Sequence, residues 1–419
     1  MRLLHTSDWH LGRSLYGRRR HEEFAAFLDW LLATLAAQRI DALLVAGDVF
    51  DTGTPGTRAQ ELYYRFLARV AASGCRHVVI IAGNHDSPAF LDAPRGLLRA
   101  LDVHVVGQAQ DDPADEVLLL RDTSGAPELI VAAVPYLRDR DLRSVEAGES
   151  IADKARKLLD GLRTHYAAVA SAATRLAASL DRPVPIVATG HLFTDGGLTV
   201  DGDGVRELYI GTLAQANANI FAPCFDYVAL GHLHVPQQVA GRAHIRYSGS
   251  PLAIGFGEAM QEKSVCVVNF APPTEAADKR CAVDVTLVPV PCFQALASLT
   301  GDWPSLQTQL ADLRASGEEA WLEVEYTGAE VLGDLRARLD REIAGSALDI
   351  LRIRNTRASA QAFANITDDS ALADLDVHEV FTLCLAARAI PESQHAELRQ
   401  TYREALADLA EAERHDGAL

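Results

Sequence analysis

The sequence predicts an α/β chain in which two sheets pack face to face between helices, and three observations predict it. Short apolar, β-branched runs recur at 2–8 (RLLHTSD), 41–48 (DALLVAGD), 77–84 (HVVIIAGN), 185–191 (PIVATGH) and 226–232 (DYVALGH), the pattern of strands buried on both faces. Helix-period segments at about 22–38 and 57–72 separate the first three, so strand and helix alternate as in layered α/β folds. After residue 232 the pattern turns to β, with 244–250, 263–270 and 281–290 set off by Gly and Pro, which predicts a second sheet packed on the first.

The remaining elements follow in chain order. Residues 150–180 form one long helical stretch, stopped by Pro183 and Pro185. From about 291 the order becomes helix (303–315), strand (320–327), helix (329–343), strand (348–355), a small separate α+β domain. Two helical segments close the chain, 376–389 and 392–413, joined at Ile390-Pro391 as a C-terminal helical hairpin. Val377, Val380, Phe381, Cys384 and Leu385 form an apolar stripe on one; Leu398, Tyr402, Leu406 and Leu409 form one on the other. The expected division is 1–290, 291–357 and 358–419.

Composition narrows the function. At 419 residues the chain has room for two or three domains, with 48% hydrophobic and 23% charged residues, the ordinary globular balance. No uninterrupted apolar run is long enough to span a bilayer, and the N-terminus lacks the regions of a signal peptide, so a cytoplasmic protein without a membrane partner is expected. The six cysteines form no C-x-x-C pair and read as reduced packing residues. A net charge of −18 argues against nucleic acid at first sight. Its distribution softens that objection, because residues after 290 carry −12 of it and the first 290 only −6.

The chemistry sits where the strands end. Asp8 and His10 form D-x-H after the first strand, where extended backbone would send both side chains to one face. Asp48 ends the second strand in GDVFD. Asn84, His85 and Asp86 follow the third in GNHD, His191 ends the fourth in GH, and His232 and His234 follow the fifth in G-H-x-H. Each residue alone is as well explained by a capped turn, a core histidine or a solvated carboxylate. Together, five strand ends supply a mixed oxygen and nitrogen set of the size two transition-metal ions need, at the end of the sheet where α/β ligand sites lie. A calcium site would want oxygen ligands, and a structural zinc site one closed tetrahedron. Manganese suits best, with iron, zinc or magnesium as alternatives.

The order D-x-H, GDVFD, GNHD, GH, G-H-x-H resembles the calcineurin-like metallophosphoesterase family. The fuller strings HTSDWHLG, AGDVFDTGTP, AGNHDS, ATGH, YIGT, DYVALGHLH and RYSGSP resemble its DNA-break-processing nuclease branch over essentially the whole chain. The resemblance implies that Asp8, His10, Asp48 and His234 hold one metal and Asp48, Asn84, His191 and His232 the other, with Asp48 bridging. It implies that His85 stands near the scissile phosphate rather than on a metal, with Asp86 orienting its imidazole. Asp51 stands where archaeal relatives often carry a phosphate-contacting His, and an acidic side chain there can instead support a ligand. Arg13, Arg18, Arg19 and Arg20 become candidate DNA-backbone contacts, and Trp9 is expected to pack near the site.

The same resemblance implies manganese-dependent cleavage of DNA: a 3′ to 5′ exonuclease on double-stranded ends and an endonuclease on single strands and hairpins. It further implies a DNA-selecting cap at 291–357, docking of the last helices on a coiled-coil ATPase partner, dimerisation through the phosphoesterase domain, and nucleoid association. No G-x-x-x-x-G-K-[ST] motif occurs, so ATP dependence is expected to come from the partner. Two competing readings are a small-molecule phosphodiesterase or phosphatase of the same fold and a nonenzymatic scaffold.

Overall fold

A computed structural model of the chain describes residues 1–143, 149–194, 197–198, 217–271, 281–330, 332, 334–355 and the isolated positions 381, 385, 398 and 402. It divides into two compact units, 1–297 and 298–419.

The first unit holds two six-stranded sheets. One runs, in spatial order, Ala282–Pro289, Ser264–Ala271, Arg2–Thr6, Ala42–Ala46, His77–Ile81, Val103–Val106. Its last four strands are mutually parallel, and Ser264–Ala271 joins Arg2–Thr6 antiparallel. The other runs Gln237–Val239, Arg242–Tyr247, Tyr227–Gly231, Ile186–His191, Pro127–Ala132, Val117–Arg121. Its four inner strands are parallel and each edge strand is antiparallel to its neighbour.

Alternation along the strands builds the layers. Leu44, Ala46, Val79 and Ile81 from the first sheet meet Leu129, Val131, Val187 and Ala229 from the second in a buried interface. The opposite face of the first sheet, with Leu43, Val45 and Ile80, packs on helices His21–Ala37 and Thr57–Ala71 through Phe24, Phe27 and Phe66. The opposite face of the second packs on helix Ile151–Ala178 through Leu162, Tyr166 and Val169. Apolar burial on both faces of both sheets drives this four-layer arrangement.

Ala295–Gly301, which enters the second unit at Ser298, forms a three-stranded sheet with Ala320–Tyr326 and Leu348–Asn355, accompanied by helices Trp303–Ser316 and Leu335–Glu342. Asp302 caps the first helix by accepting the Ser305 N–H at 3.0 Å, and Gly317, at φ +71°, ends it. The second helix starts six residues later than its apolar periodicity predicts. Of the expected C-terminal hairpin, only Phe381, Leu385, Leu398 and Tyr402 fall within the described residues; all four are helical.

Candidate metal centre

The carboxyl ends of Arg2–Thr6, Ala42–Ala46, His77–Ile81, Ile186–His191 and Tyr227–Gly231 open onto one buried cluster. Asp8, His10, Asp48, His191, His232 and His234 are each at most 6% exposed. Donor atoms of Asp8, His10 and His234 lie within 4.8 Å of one another, as do those of Asp8, Asp48 and His191, and those of His10, Asp51 and His85.

Side-chain convergence here does not come from extended alternation. The first strand ends at Thr6, and both Asp8 (φ +54°) and His10 (φ +49°) are left-handed; so is Asp48 (φ +50°), and His232 lies at φ +97°. Such conformations cost L-residues energy and persist where the surrounding structure enforces them. They turn the chain out of the first, second and fifth of these strands. The preceding glycines make room: a Cβ on Gly83 would collide with the Asp48 carboxylate, and one on Gly231 with the Ala46 carbonyl.

Hydrogen-bond direction shows what the cluster takes. His191 Nδ1 lies 2.9 Å from the Ala46 carbonyl, which can only accept, so the proton of a neutral ring stands there. The Nε2 lone pair then faces Asn84 Oδ1 at 2.9 Å and Asp48 Oδ2 at 3.3 Å. His232 Nδ1 approaches the same Asn84 oxygen at 3.0 Å. On the other side, His234 Nδ1 faces the Glu258 carboxylate at 2.9 Å, which leaves its Nε2 lone pair 3.3 Å from His10 Nε2; that atom is 3.7 Å from Asp48 Oδ2. Carboxylate, amide and imidazole donor atoms gathered at these distances form a set that could hold divalent cations.

The titration tendencies show that the cluster favours positive charge beside Asp48. Burial pushes the Asp48 carboxyl up, but His191, His10 and His85 outweigh it and hold it far below the usual range. Burial pushes the His191 ring down, but Asp48 and Asp8 outweigh it and raise it to about 9. Burial, with His191 beside it, lowers His232 to about 3, keeping that ring neutral and able to donate a lone pair. Two carboxylates, one amide oxygen and four imidazoles on two adjoining positions fit two divalent transition-metal ions.

The surrounding residues divide in a way that only the structure reveals. His85 donates from Nδ1 to the Asp51 main-chain carbonyl at 2.8 Å. Asp86 therefore does not take the role expected for it at that nitrogen. Its carboxylate instead accepts the N–H groups of Val49 (3.1 Å), Phe50 (2.9 Å) and Gly83 (2.9 Å), tying the second and third strand ends together. Burial and the nearby Asp48 charge raise Asp86 to about 6 despite those bonds. Asp51 supports the site through its side chain as well, with Oδ1 3.3 Å from His10 Nδ1 and 3.0 Å from Arg13 Nη1.

The four arginines also separate. Arg20 is buried, holds Glu23 through two bonds of 2.7 and 2.8 Å and lies over the Phe24 ring, so it is a structural residue and not a DNA contact. Arg13 is partly buried against Asp51 and the Ile254 carbonyl. Arg18 and Arg19 are exposed on the ribbon Ser14–Leu15/Arg18–Arg19. Trp9 is fully buried between Phe27 and Phe66. Sequence reasoning missed Glu258 and Lys263, which lie beyond the last motif with no repeating pattern to mark them.

Layered sheets whose strand ends carry this carboxylate and histidine cluster define a metal-dependent phosphoesterase. Residues 1–236 match the calcineurin-like phosphoesterase family, and residues 292–389 match the family described as type 5 capsule protein repressor C-terminal domain. Among curated relatives, the SbcD subunit of the nuclease SbcCD from Escherichia coli (strain K12) is 38% identical over 98% of this chain and 99% of its own length. The Rhodobacter capsulatus protein of the same name is 33% identical over 85% and 88%, and that of Bacillus subtilis 36% over 66% and 68%. The chain belongs to the SbcD family of calcineurin-like phosphoesterases. Among the described residues no helix is long and apolar enough to cross a membrane.

Proposed function

We propose that this chain is the nuclease subunit of an SbcCD-type complex and hydrolyses phosphodiester bonds of DNA at a two-metal centre. The observation that carries the reading is the set of imidazole lone pairs turned on carboxylate and amide oxygens at five strand ends. Asp8, His10, Asp48 and His234 would hold one ion and Asp48, Asn84, His191 and His232 the other, manganese being the ion of choice for this oxygen and nitrogen set. When bound, two such ions would supply Lewis acidity to the phosphodiester and to the attacking water.

The chain's own residues supply the rest. Asp48, between the two sets, fixes their spacing. His85, whose Nδ1 proton is engaged by the Asp51 carbonyl, presents Nε2 toward the scissile group, where a protonated ring can neutralise developing charge or protonate the leaving oxygen. Arg18 and Arg19, exposed on the ribbon that follows the first ligand pair, contact the DNA backbone. Following the family resemblance, 291–357 acts as a cap that selects DNA, 358–419 docks on an SbcC-type coiled-coil ATPase, and the phosphoesterase domain pairs with a second copy. The same resemblance gives 3′ to 5′ action on double-stranded ends, endonuclease action on single strands and hairpins, and work in the cytoplasm at the nucleoid in repair, recombination and replication.

The test is cleavage of blunt and hairpin DNA by the purified chain with manganese or magnesium, with and without the ATPase and ATP. Manganese-dependent cleavage, extended by the partner and ATP, is expected. Hydrolysis of a small chromogenic diester with none of DNA, even with the partner present, would move the function to small-molecule phosphodiesters.

A further inference from the structure

Glu258 is fully buried in the short turn Phe256–Glu258, between strands Arg242–Tyr247 and Ser264–Ala271. It binds on both sides. Oε1 meets His234 Nδ1 at 2.9 Å, while Oε2 accepts from Lys263 Nζ at 2.5 Å, Ser250 Oγ at 3.1 Å and the Ile254 N–H at 3.1 Å. Lys263, itself only 8% exposed, also donates to the His234 main-chain carbonyl at 3.3 Å, Ser250 Oγ at 3.0 Å and Gln261 Oε1 at 3.0 Å.

A buried carboxylate and ammonium are a poor stability device. Desolvation cancels much of their attraction, and an apolar pair of similar volume is often as stable or more so. What this pair does that an apolar pair cannot is select one form of His234. A carboxylate accepts and never donates, so the neutral ring keeps its proton on Nδ1 and turns its Nε2 lone pair toward His10 Nε2, 3.3 Å away. The negative charge behind Nδ1 also makes the ring a stronger donor at Nε2. Lys263 grips the carboxylate and the His234 backbone together, so the ring and the group that orients it move as one piece.

We propose that Glu258 and Lys263 are a positioning pair that fixes the tautomer and direction of His234 and thereby sets the affinity of the ion held by Asp8, His10 and His234. This rests on reading those three residues as ligands. The same pair clamps the loop carrying Ser250 and Ile254, whose carbonyl receives Arg13 Nε at 3.3 Å, linking the orienting group to the segment that follows His10.

Calorimetric titration of the metal-stripped full chain with manganese tests the proposal. The doubly apolar variant Glu258→Leu/Lys263→Met, which takes their acceptor from Ser250 Oγ and the Ile254 N–H, is expected to fold but melt below the wild type, and to lose about tenfold or more of its affinity at one of two sites, the usual effect of removing a histidine's supporting carboxylate. Cleavage limited by that site should recover with excess manganese. Wild-type affinity at both sites in this variant overturns the proposal and leaves the pair as packing. Should the double variant not fold, Glu258→Gln decides instead, because it keeps the shape and an acceptor but removes the charge: one weakened site upholds the proposal and two unchanged sites overturn it. If His10→Ala retains both sites at full affinity, the ligand assignment itself fails and the proposal falls with it; loss of one site there, with both intact in the Glu258 variants, overturns the positioning role alone.

Discussion

At the scale of single residues, Asp48 and His85 stand differently in the cluster. Asp48 touches both halves: Oδ2 lies 3.3 Å from His191 Nε2 and 3.7 Å from His10 Nε2, and Oδ1 accepts the His85 N–H at 2.8 Å. His85 touches the cluster from its edge, with its ring 4.9 Å from that of His10 and its Nδ1 occupied by a carbonyl. The two residues should therefore fail differently. Asp48→Ala removes the shared carboxylate and should lose manganese binding and DNA cleavage together. His85→Leu should keep manganese and DNA binding while cleavage falls by about two orders of magnitude or more, the scale of a lost general acid. Metal content by mass spectrometry beside single-turnover cleavage checks both, and a marked loss of manganese in His85→Leu would make His85 a ligand. The motif order made the clustering of these side chains legible because they follow five buried strands, four of them through a glycine at 47, 83, 190 or 231. The supporting groups were not legible in the same way. Asp86 follows His85 directly and invites pairing with it, yet tertiary packing gives its oxygens to three backbone N–H groups.

At the scale of elements, the strands feeding the site were legible because burial on both faces leaves continuous apolar runs, and helices His21–Ala37, Thr57–Ala71 and Ile151–Ala178 because each buries one face. Edge and peripheral strands carried weaker signals. Val117–Arg121 and Gln237–Val239 border the second sheet, are partly exposed, and alternate too little to be told from loops. Local charge misleads in a similar way. Four arginines within eight residues look like one patch, but the chain turns at Tyr16 and Gly17 and enters a helix at His21, which sends them in different directions. Arg20 closes onto Glu23 in the first turn of that helix, whereas Arg18 and Arg19 stay on the exposed ribbon. Arg18→Glu/Arg19→Glu should accordingly weaken DNA binding and make its dependence on salt shallower, by up to about 2 in the logarithmic slope, since each phosphate contact contributes close to 1. Fluorescence anisotropy across a salt series measures it. An unchanged slope would take the ribbon off the DNA path, while Arg20→Glu should act on folding and lower the melting temperature.

At the scale of the whole molecule, the opposition between a net charge of −18 and a polyanionic substrate resolves into two regions. Twelve of those charges belong to residues after 290, and in the first 290 some of the acidity is spent within the metal cluster, where Asp8 and Asp48 face histidines rather than solvent. Bound divalent ions would invert the local sign there. The charge of the C-terminal third therefore does not itself supply a grip on DNA. That third also carries the two apolar stripes. Phe381 and Tyr402, one from each stripe, stack with ring centroids 4.0 Å apart and planes within 3°, and Leu385 is 6% exposed, so part of each stripe is already used inside the chain. If the last helices are a docking element, truncation after residue 357 should abolish co-purification with an SbcC-type ATPase while manganese-dependent cleavage of short DNA by the truncated chain persists near the full-length rate. Size-exclusion co-elution, with melting curves of both forms, separates the outcomes. A truncated chain that has lost its cooperative melting transition would instead make the C-terminal residues part of the fold's own core, and partner recognition would then have to be sought on the phosphoesterase unit.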